Sequence, residues 1–526
     1  MPLQPVFIGG GWRPARSNGS FRAENPATGE LMPEEFPVST WADCDAALDA
    51  AVKAASELQQ IPPAKIAKFF TRYAERIELR AQELVDMAHL ETGLPKTPRL
   101  AEVELPRTTN QLRQAAAAVL EGSWALPTID TKLNIRSLLA PLGPVLIFGP
   151  NNFPYAYNGV SGGDFVAALA AGNPVIAKAH PNHPATSRLL AEEAFAALNE
   201  RGLPSATVQM IYHLTPEDGL RMVADPRLGA CGFTGSRAAG LKLKAAAEAV
   251  GKPIYLEMSS VNPVVILPEA LKERGDQIVE EFTGSCLLAG GQFCNSPGVV
   301  ILFESNEAKQ FISRVKARLE ATPPEILLTA GVVKNLEASV KVLQTAGAEL
   351  LAGGFALPPP GRRFANTLLR VSGTQFLAAP GELQTEAFGN ASLMVVVTDT
   401  EQAAKILAQF EGNLTGSIYS DTHGGDDLLY ARLAPLLRAC VGRFLNDKMP
   451  TGVAVTAAMN HGGPFPATGH PGFTAVGIPA ALRRFTMLQS FDHVRPSRLP
   501  AALQDKNPTG QMWRFIDGIW TQSDVK

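Results

Sequence analysis

Paired cysteines, excess charge and long apolar runs are what this chain lacks, and each absence excludes a class of protein. The five cysteines (Cys44, Cys231, Cys286, Cys294 and Cys440) are scattered, odd in number and form no Cys-x-x-Cys pair. That argues against a disulfide framework or structural zinc; no metal is expected, and the thiols read as reduced ones in a cytoplasmic protein. A formal charge of -3 offers no basic surface, so neither nucleic acid nor an anionic membrane is expected as a partner. The longest apolar run, residues 138–148, is broken by Pro141, Gly143 and Pro144 and is too short to span a bilayer. The first residues, MPLQPVFIGGGW, hold no basic segment followed by an apolar one, which argues against a signal peptide.

What remains is a soluble globular composition, with 46% hydrophobic and 18% charged residues. At 526 residues the chain exceeds one ordinary core, and two or three domains are expected. Residues 6–35 alternate short apolar pieces with turn residues and read as edge strands and hairpins. Ala-, Leu- and Glu-rich helical segments follow, at 41–57 and 63–90, up to about residue 119.

A strict alternation begins at Pro144. Strands are expected at 145–148, 175–178, 207–212, 229–233 and 253–256, with helices at 154–171, 184–199, 216–223 and 236–250 between them. Short strands separated by helices imply parallel pairing and a doubly wound sheet, which binds ligands at the carboxyl ends of its strands. A second α/β block, 260–470, repeats the theme at 264–267, 299–303, 392–397, 416–419 and 443–446. Residues 124–142, rich in β-branched residues and proline, read as an extended arm or hairpin.

Chemistry-bearing residues collect at these strand ends. Asn152 lies in a polar turn after the first strand, beside free backbone N–H groups. Lys178 ends the second, and Thr234-Gly235-Ser236 opens a helix after the fourth, an anion site in kind but not a G-x-G-x-x-G fingerprint. Glu257 ends the fifth. Singly, these are equally a helix cap, a solvated lysine, an ordinary turn and a paired acid. Cys294 follows on the Gly290-Gly291 loop between a helix at 268–288 and a strand, where a thiol can face a cleft. A lone cysteine is more often a small buried hydrophobe. The convergence of all five on one rim favours a site.

These residues carry a resemblance to the aldehyde dehydrogenase superfamily over nearly the whole chain. They are Asn152-Phe153-Pro154, Lys178, Gly232 to Ser236, Leu256-Glu257, Gly290 to Cys294 and Glu386-Ala387-Phe388-Gly389, in the family's order. Gly162-Gly163-Asp164, Lys178 to Pro181 and His461 to Thr468 are similar to one branch. It contains α-ketoglutaric semialdehyde (2,5-dioxovalerate) dehydrogenases and an NADP-dependent fatty aldehyde dehydrogenase.

The resemblance implies a fold of two doubly wound parallel-sheet domains plus a β oligomerisation arm. A dinucleotide-binding domain would cover 1–123 and 143–259, a cysteine domain 260–470, and the arm and tail 124–142 and 471–526. It also implies oxidation of an aldehyde to a carboxylic acid. Cys294 would be the nucleophile, Glu257 the base for water, and Asn152 the oxyanion donor with the Cys294 N–H. Lys178 and Glu386 would hold the cofactor ribose, Phe388 would pack near the nicotinamide, and Ser236 would meet the pyrophosphate. Phe148, Pro150, Thr234 and Gly235 complete the cofactor set.

NADP is expected, with NAD possible. Many NAD-using members carry a glutamate three residues after the lysine, where this chain has Pro181 after His180; losing that carboxylate removes its repulsion of a 2′-phosphate. Two departures from the family pattern are Glu257-Met258-Ser259 and Asn295-Ser296-Pro297. Phe153, Tyr155, Tyr157, Phe293 and Phe465 suggest an aromatic-lined entrance, and Arg107 or Arg113 would take the far carboxylate of a dicarboxylic semialdehyde. With those arginines on the surface, a medium- or long-chain or aromatic aldehyde fits equally. A CoA-acylating enzyme is disfavoured by Glu257, and a non-catalytic protein by the intact residue set. A cysteine hydrolase is disfavoured because none of the eight histidines is tied by spacing to Cys294. The arm implies a homodimer or a tetramer.

Overall fold

In the computed structural model, which describes residues 2–526, two seven-stranded sheets and a five-stranded sheet account for nearly all the strands. The first sheet is built from the alternation that starts at Pro144. Strand Val145–Phe148 pairs in parallel with Val175–Lys178 on one side and Ala230–Thr234 on the other. Val208–Ile211 and Ile254–Glu257 extend it outward, and the N-terminal pair Val6–Ile8 and Gly11–Arg13 closes one edge antiparallel. The chain reverses its winding direction between Val145–Phe148 and Ala230–Thr234, and a doubly wound sheet opens its ligand crevice at such a switch. Phe148 and Thr234 end the two strands that flank it.

The second sheet centres on Val264–Ile266, Val299–Phe303 and Ala391–Val397, all parallel, with Asn413–Tyr419 and Val441–Asn446 beyond. Its other edge is Thr367–Ser372 and, antiparallel to it, Glu349–Ala352, two strands absent from the sequence reading. Each face carries its own apolar core, one with Val265, Ile301 and Val395, the other with Val264, Val300 and Met394. Successive side chains of one strand point to opposite faces, so one apolar strand feeds both cores.

The third sheet joins distant segments. Thr128–Asp130 and Ile135–Pro141 form a hairpin, Thr486–Asp492 pairs along the whole outer strand, and Arg514–Ile516 with Ile519–Thr521 extends the other side. Residues 473–485 pack into the core of the first domain before the chain reaches this arm, through Phe473, Val476, Leu482 and Phe485. No helix among the described residues is long and apolar enough to cross a membrane.

One expected helix is mostly not a helix. Residues 154–162 form turns, and the helix begins only at Gly163 and runs to Ala170. A distant carboxylate is the reason. Glu104 Oε1 accepts the backbone N–H groups of Tyr155 and Ala156 at 2.8 and 3.0 Å, and Gly163 N–H closes back on the Ala156 carbonyl. A Cβ at Gly162 would stand 2.4 Å from Tyr157 backbone atoms, so this fold-back needs glycine there.

Candidate active site

Helix Pro268–Leu287 ends at a loop whose backbone no ordinary residue run would adopt. Ala289, Gly290 and Gly291 have φ of 50°, 64° and 70°, three left-handed residues in succession. They swing the chain so that Gly291 packs on the Gly389 backbone, where an added Cβ would lie 2.2 Å from the carbonyl oxygen. The loop is then fastened by amides. Asn262, itself at φ 47°, donates through Nδ2 to the carbonyls of Cys294 and Ser296, both at 2.9 Å. Asn295 exchanges hydrogen bonds with the Gly452 backbone, and Gln292 Oε1 accepts from Leu328 N–H at 2.8 Å. The other four cysteines are buried, whereas Cys294 is partly exposed.

Two side chains meet at Cys294. Its Sγ lies 3.3 Å from His461 Nε2, and the same nitrogen lies 3.0 Å from Glu257 Oε1. Glu257 comes from the end of Ile254–Glu257, held by an isolated bridge to Thr468 and by Met258 N–H bonding the Ala467 carbonyl. His461 comes from the loop that supplies this bridge. Glu257 Oε2 and His461 Nδ1 are buried without hydrogen-bond partners. Burial pushes the Cys294 thiol well up, and the Glu257 carboxylate adds to that. Burial alone would raise Glu257 too; His461, by charge and hydrogen bond, outweighs it with help from Cys294 and Arg484 and holds the carboxyl below its ordinary range. The sequence separation of 167 residues between Cys294 and His461 carries no spacing signal, so only the fold brings a histidine to the cysteine.

Asn152 reaches the same loop, donating through Nδ2 to the Gln292 carbonyl at 2.9 Å, while Arg99 donates to the Asn152 carbonyl at 3.0 Å. Phe153 stands edge-on to both Tyr157 and Phe293, with centroids 5.1 and 5.3 Å apart, and all three rings are buried. Arg99 lies 4.4 Å above the Phe153 ring and is neutralised by Glu104. Tyr155 is fully buried and donates to the Leu84 carbonyl, so it belongs to the core and not to an entrance. Arg107 donates to the Tyr157 hydroxyl at 3.0 Å. Arg113 instead pairs with Glu78 on the surface. Phe465 is 55% exposed beneath Arg237 and is not among the clustered rings.

A thiol, a carboxylate and an imidazole within hydrogen-bond reach, walled by aromatic rings, are suited to covalent attack on a carbonyl followed by proton transfer. The aldehyde dehydrogenase family profile matches residues 12–426. The chain belongs to the aldehyde dehydrogenase family. It is 36% identical to α-ketoglutaric semialdehyde dehydrogenase 2 of Azospirillum brasilense over 97% of this chain and 98% of that one. It is 35% identical to α-ketoglutaric semialdehyde dehydrogenase of Acinetobacter baylyi, over 93% of each. Lactaldehyde dehydrogenase from Escherichia coli superimposes with a TM-score of 0.79 at 21% identity, covering 93% of this chain and 99% of that one. PnpE in complex with nicotinamide adenine dinucleotide gives 0.80 at 20%, covering 94% and 98%. The fold is therefore that of an aldehyde dehydrogenase, and the chain is an NAD(P)-dependent member of the family.

In this dehydrogenase the crevice at the switch point collects the residues expected to bind cofactor. Lys178 ends its strand with no carboxylate partner among the described residues, and burial lowers its ammonium to about 8. The His180 and His183 rings stack at 5.4 Å, and His183 Nε2 lies 3.0 Å from the Pro150 carbonyl. Burial lowers His180, and Lys178, His183 and His213 add to that. Pro181 is partly buried beside it. Ser236 caps helix Arg237–Glu248, its hydroxyl accepting from Ala239 N–H at 3.4 Å. Across the crevice, burial pushes the Glu386 carboxyl up to about 7, against hydrogen bonds from the Ser259 hydroxyl and the Ser260 backbone. Ser259, one of the departures from the family pattern, lines the same cleft as the carboxylate expected at the ribose. Phe388 lies with Glu386 on the wall facing Ser260 and Phe293.

Proposed function

We propose that this enzyme oxidises a dicarboxylic semialdehyde, α-ketoglutaric semialdehyde above others, to the corresponding acid with NADP. The observation that carries the chemistry is the convergence of Cys294 Sγ and Glu257 Oε1 on His461 Nε2. His461 Nε2 donates toward the Glu257 carboxylate, while its Nδ1 is buried without a partner. Glu257, with a free Oε2, is then the base. It takes the proton of Cys294 as the sulfur attacks the aldehyde carbon. Asn152 Nδ2 turns from the Gln292 carbonyl toward the new oxyanion, beside the Cys294 N–H; one such donor is worth about 3 kcal/mol.

Bound NADP supplies the hydride acceptor that leaves a thioester on Cys294. Lys178, Glu386, Thr234, Gly235, Ser236, Phe148, Pro150 and Phe388 would hold it. The His180, His183 and His213 imidazoles gather at the Lys178 ammonium, and none of the charges acting on His180 is a carboxylate; that favours a 2′-phosphate over a free hydroxyl. Glu257 next activates the water that releases the acid, and water trapped against so buried a carboxylate has no competing solvent shell.

The substrate reading rests on the relatives at 35–36% identity and on Arg107, a partly buried guanidinium beside Tyr157 with no acid partner among the described residues. The ring cluster of Phe153, Tyr157 and Phe293 favours a second reading, an aromatic or long aliphatic aldehyde. Exposed Met487, Leu488, Ile519 and Trp520 on or beside the arm sheet support a homodimer, with a tetramer as a further step. The test is kcat/KM over a panel of semialdehydes, aliphatic aldehydes and benzaldehyde with each cofactor. A ranking led by apolar aldehydes, or by NAD, overturns the corresponding half.

A further inference from the structure

Arginines in this chain are mostly neutralised. Arg99, Arg113, Arg237 and Arg484 each lie against a carboxylate. Two partly buried ones near Cys294 are not: neither Arg107 nor Arg443 has a carboxylate within ion-pair distance among the described residues, and the Nε of each is buried and unpartnered. Guanidinium groups out of water without a counter-charge are costly, and they persist where something anionic visits.

The elements that carry them hold one segment, residues 450–459, between them. Arg107 and Gln114 are seven residues apart on helix Leu105–Glu121 and so share one face. Gln114 Nε2 donates to the Val455 carbonyl at 3.1 Å, seating residues 450–459 against that face. Arg443, on strand Val441–Asn446, braces the same segment, donating to the carbonyls of Pro450 and Gly452 and lying 4.0 Å from Met459 Sδ. Both guanidiniums act on the reacting groups. The Arg107 charge pulls the raised Cys294 thiol down, and Cys294 and Tyr157 oppose the lowering that burial imposes on Arg443. At this mouth the Glu257 carboxylate beside Cys294 is already satisfied by His461, and neither it nor Glu386 lies within ion-pair distance of Arg107 or Arg443.

We propose that Arg107 and Arg443 clamp the far carboxylate of the substrate from opposite sides of this mouth, and so select aldehydes that carry an acid at the other end. The proposal rests on the dicarboxylic semialdehyde reading and adds the residue, Arg443, that the sequence did not offer. A monoanion between two guanidiniums balances the excess charge and lets each planar fork meet a carboxylate oxygen.

The experiment compares a five-carbon aldehyde ending in a carboxylate with its methyl ester and with pentanal, in wild type and in the Arg443→Lys, Arg443→Gln and Arg107→Gln variants. Wild type should favour the acid. Arg443→Gln and Arg107→Gln should each lose roughly ten- to a hundredfold in kcat/KM on the acid, mainly through KM, with the ester and pentanal little changed. Arg443→Lys should recover part of the loss. A second readout is shielding of Cys294 from iodoacetamide by glutarate, expected in wild type and absent in the glutamine variants. Equal losses on charged and neutral aldehydes, with glutarate shielding intact, would make Arg443 a loop fastener and overturn the clamp while the substrate reading stands. Wild type that shows no preference for the acid overturns both.

Discussion

His461 Nε2 stands 3.0 Å from Glu257 Oε1 and 3.3 Å from Cys294 Sγ, so one imidazole nitrogen joins the carboxylate to the thiol. Its electrical effect is to keep a carboxyl ionised that burial would otherwise neutralise. Replacing His461 with Asn removes that support and lets the Glu257 pKa rise. An ionised base is needed, so the acid limb of the kcat/KM profile should move to higher pH, with kcat down roughly 10²–10³-fold. An acid limb that stays in place would remove His461 from the machinery.

Glu257 acts on Cys294 in two opposed ways. Its charge raises the thiol pKa, yet in the proposed mechanism it accepts the proton. Glu257→Gln should therefore increase the rate of iodoacetamide alkylation at pH 8 in the free enzyme, because more of the sulfur is thiolate. Steady-state turnover should collapse, and a single, slowed burst of NADPH should survive, because the hydride step needs no further base once the sulfur has attacked. Slower alkylation in the variant contradicts the electrostatic account.

The donor atoms of Glu257, Cys294 and His461 lie within 4.8 Å of one another, a spacing that a soft divalent cation can bridge. Zinc added in solution should inhibit, and EDTA should restore activity. His461→Asn should need a higher zinc concentration for half-inhibition; unchanged sensitivity would place the metal elsewhere.

Gly291 is fixed by both its φ of 70° and the Gly389 carbonyl against it. Alanine there should cost about 2–4 kcal/mol of stability, from strain and overpacking together, and displace the Cys294 loop. Gly290→Ala keeps the left-handed strain but meets only side chains at 3.2 Å first, so it should cost less. Thermal melts of the two variants test the order.

Pro181→Glu places a carboxylate three residues beyond Lys178. NADP binding should weaken roughly tenfold or more through repulsion of the 2′-phosphate, with NAD binding unchanged or tighter. Quenching of tryptophan fluorescence by each cofactor reads this without turnover. Equal effects on both cofactors would remove the 2′-phosphate from the Lys178 neighbourhood.

Local chemistry was legible in the sequence. Apolar runs bounded by glycine and proline located Val145–Phe148, Val175–Lys178 and Val299–Phe303, and the alternation with helices implied the parallel sheet. Residues at strand ends follow from the same alternation, which is why Lys178, Glu257 and the Ser236 turn could be placed on one rim. The Gly290-Gly291 pair before Cys294 announced an unusual backbone, because only such residues tolerate left-handed φ cheaply.

What the tertiary structure alone decided are encounters between segments far apart in the chain. His461 against Cys294, Asn262 beneath the Cys294 loop, and Gln114 against Val455 depend on how two sheets and a return loop pack, and no period or spacing encodes that. The missing helix at 154–162 has the same origin. Asn158-Gly159 and Ser161-Gly162 weaken any helix there, and the Glu104 carboxylate offers two backbone N–H groups a better partner than the next turn would. Propensity is worth tenths of a kcal/mol per residue, and a buried charge-assisted hydrogen bond is worth about 1.5–3 kcal/mol, so the distant contact wins.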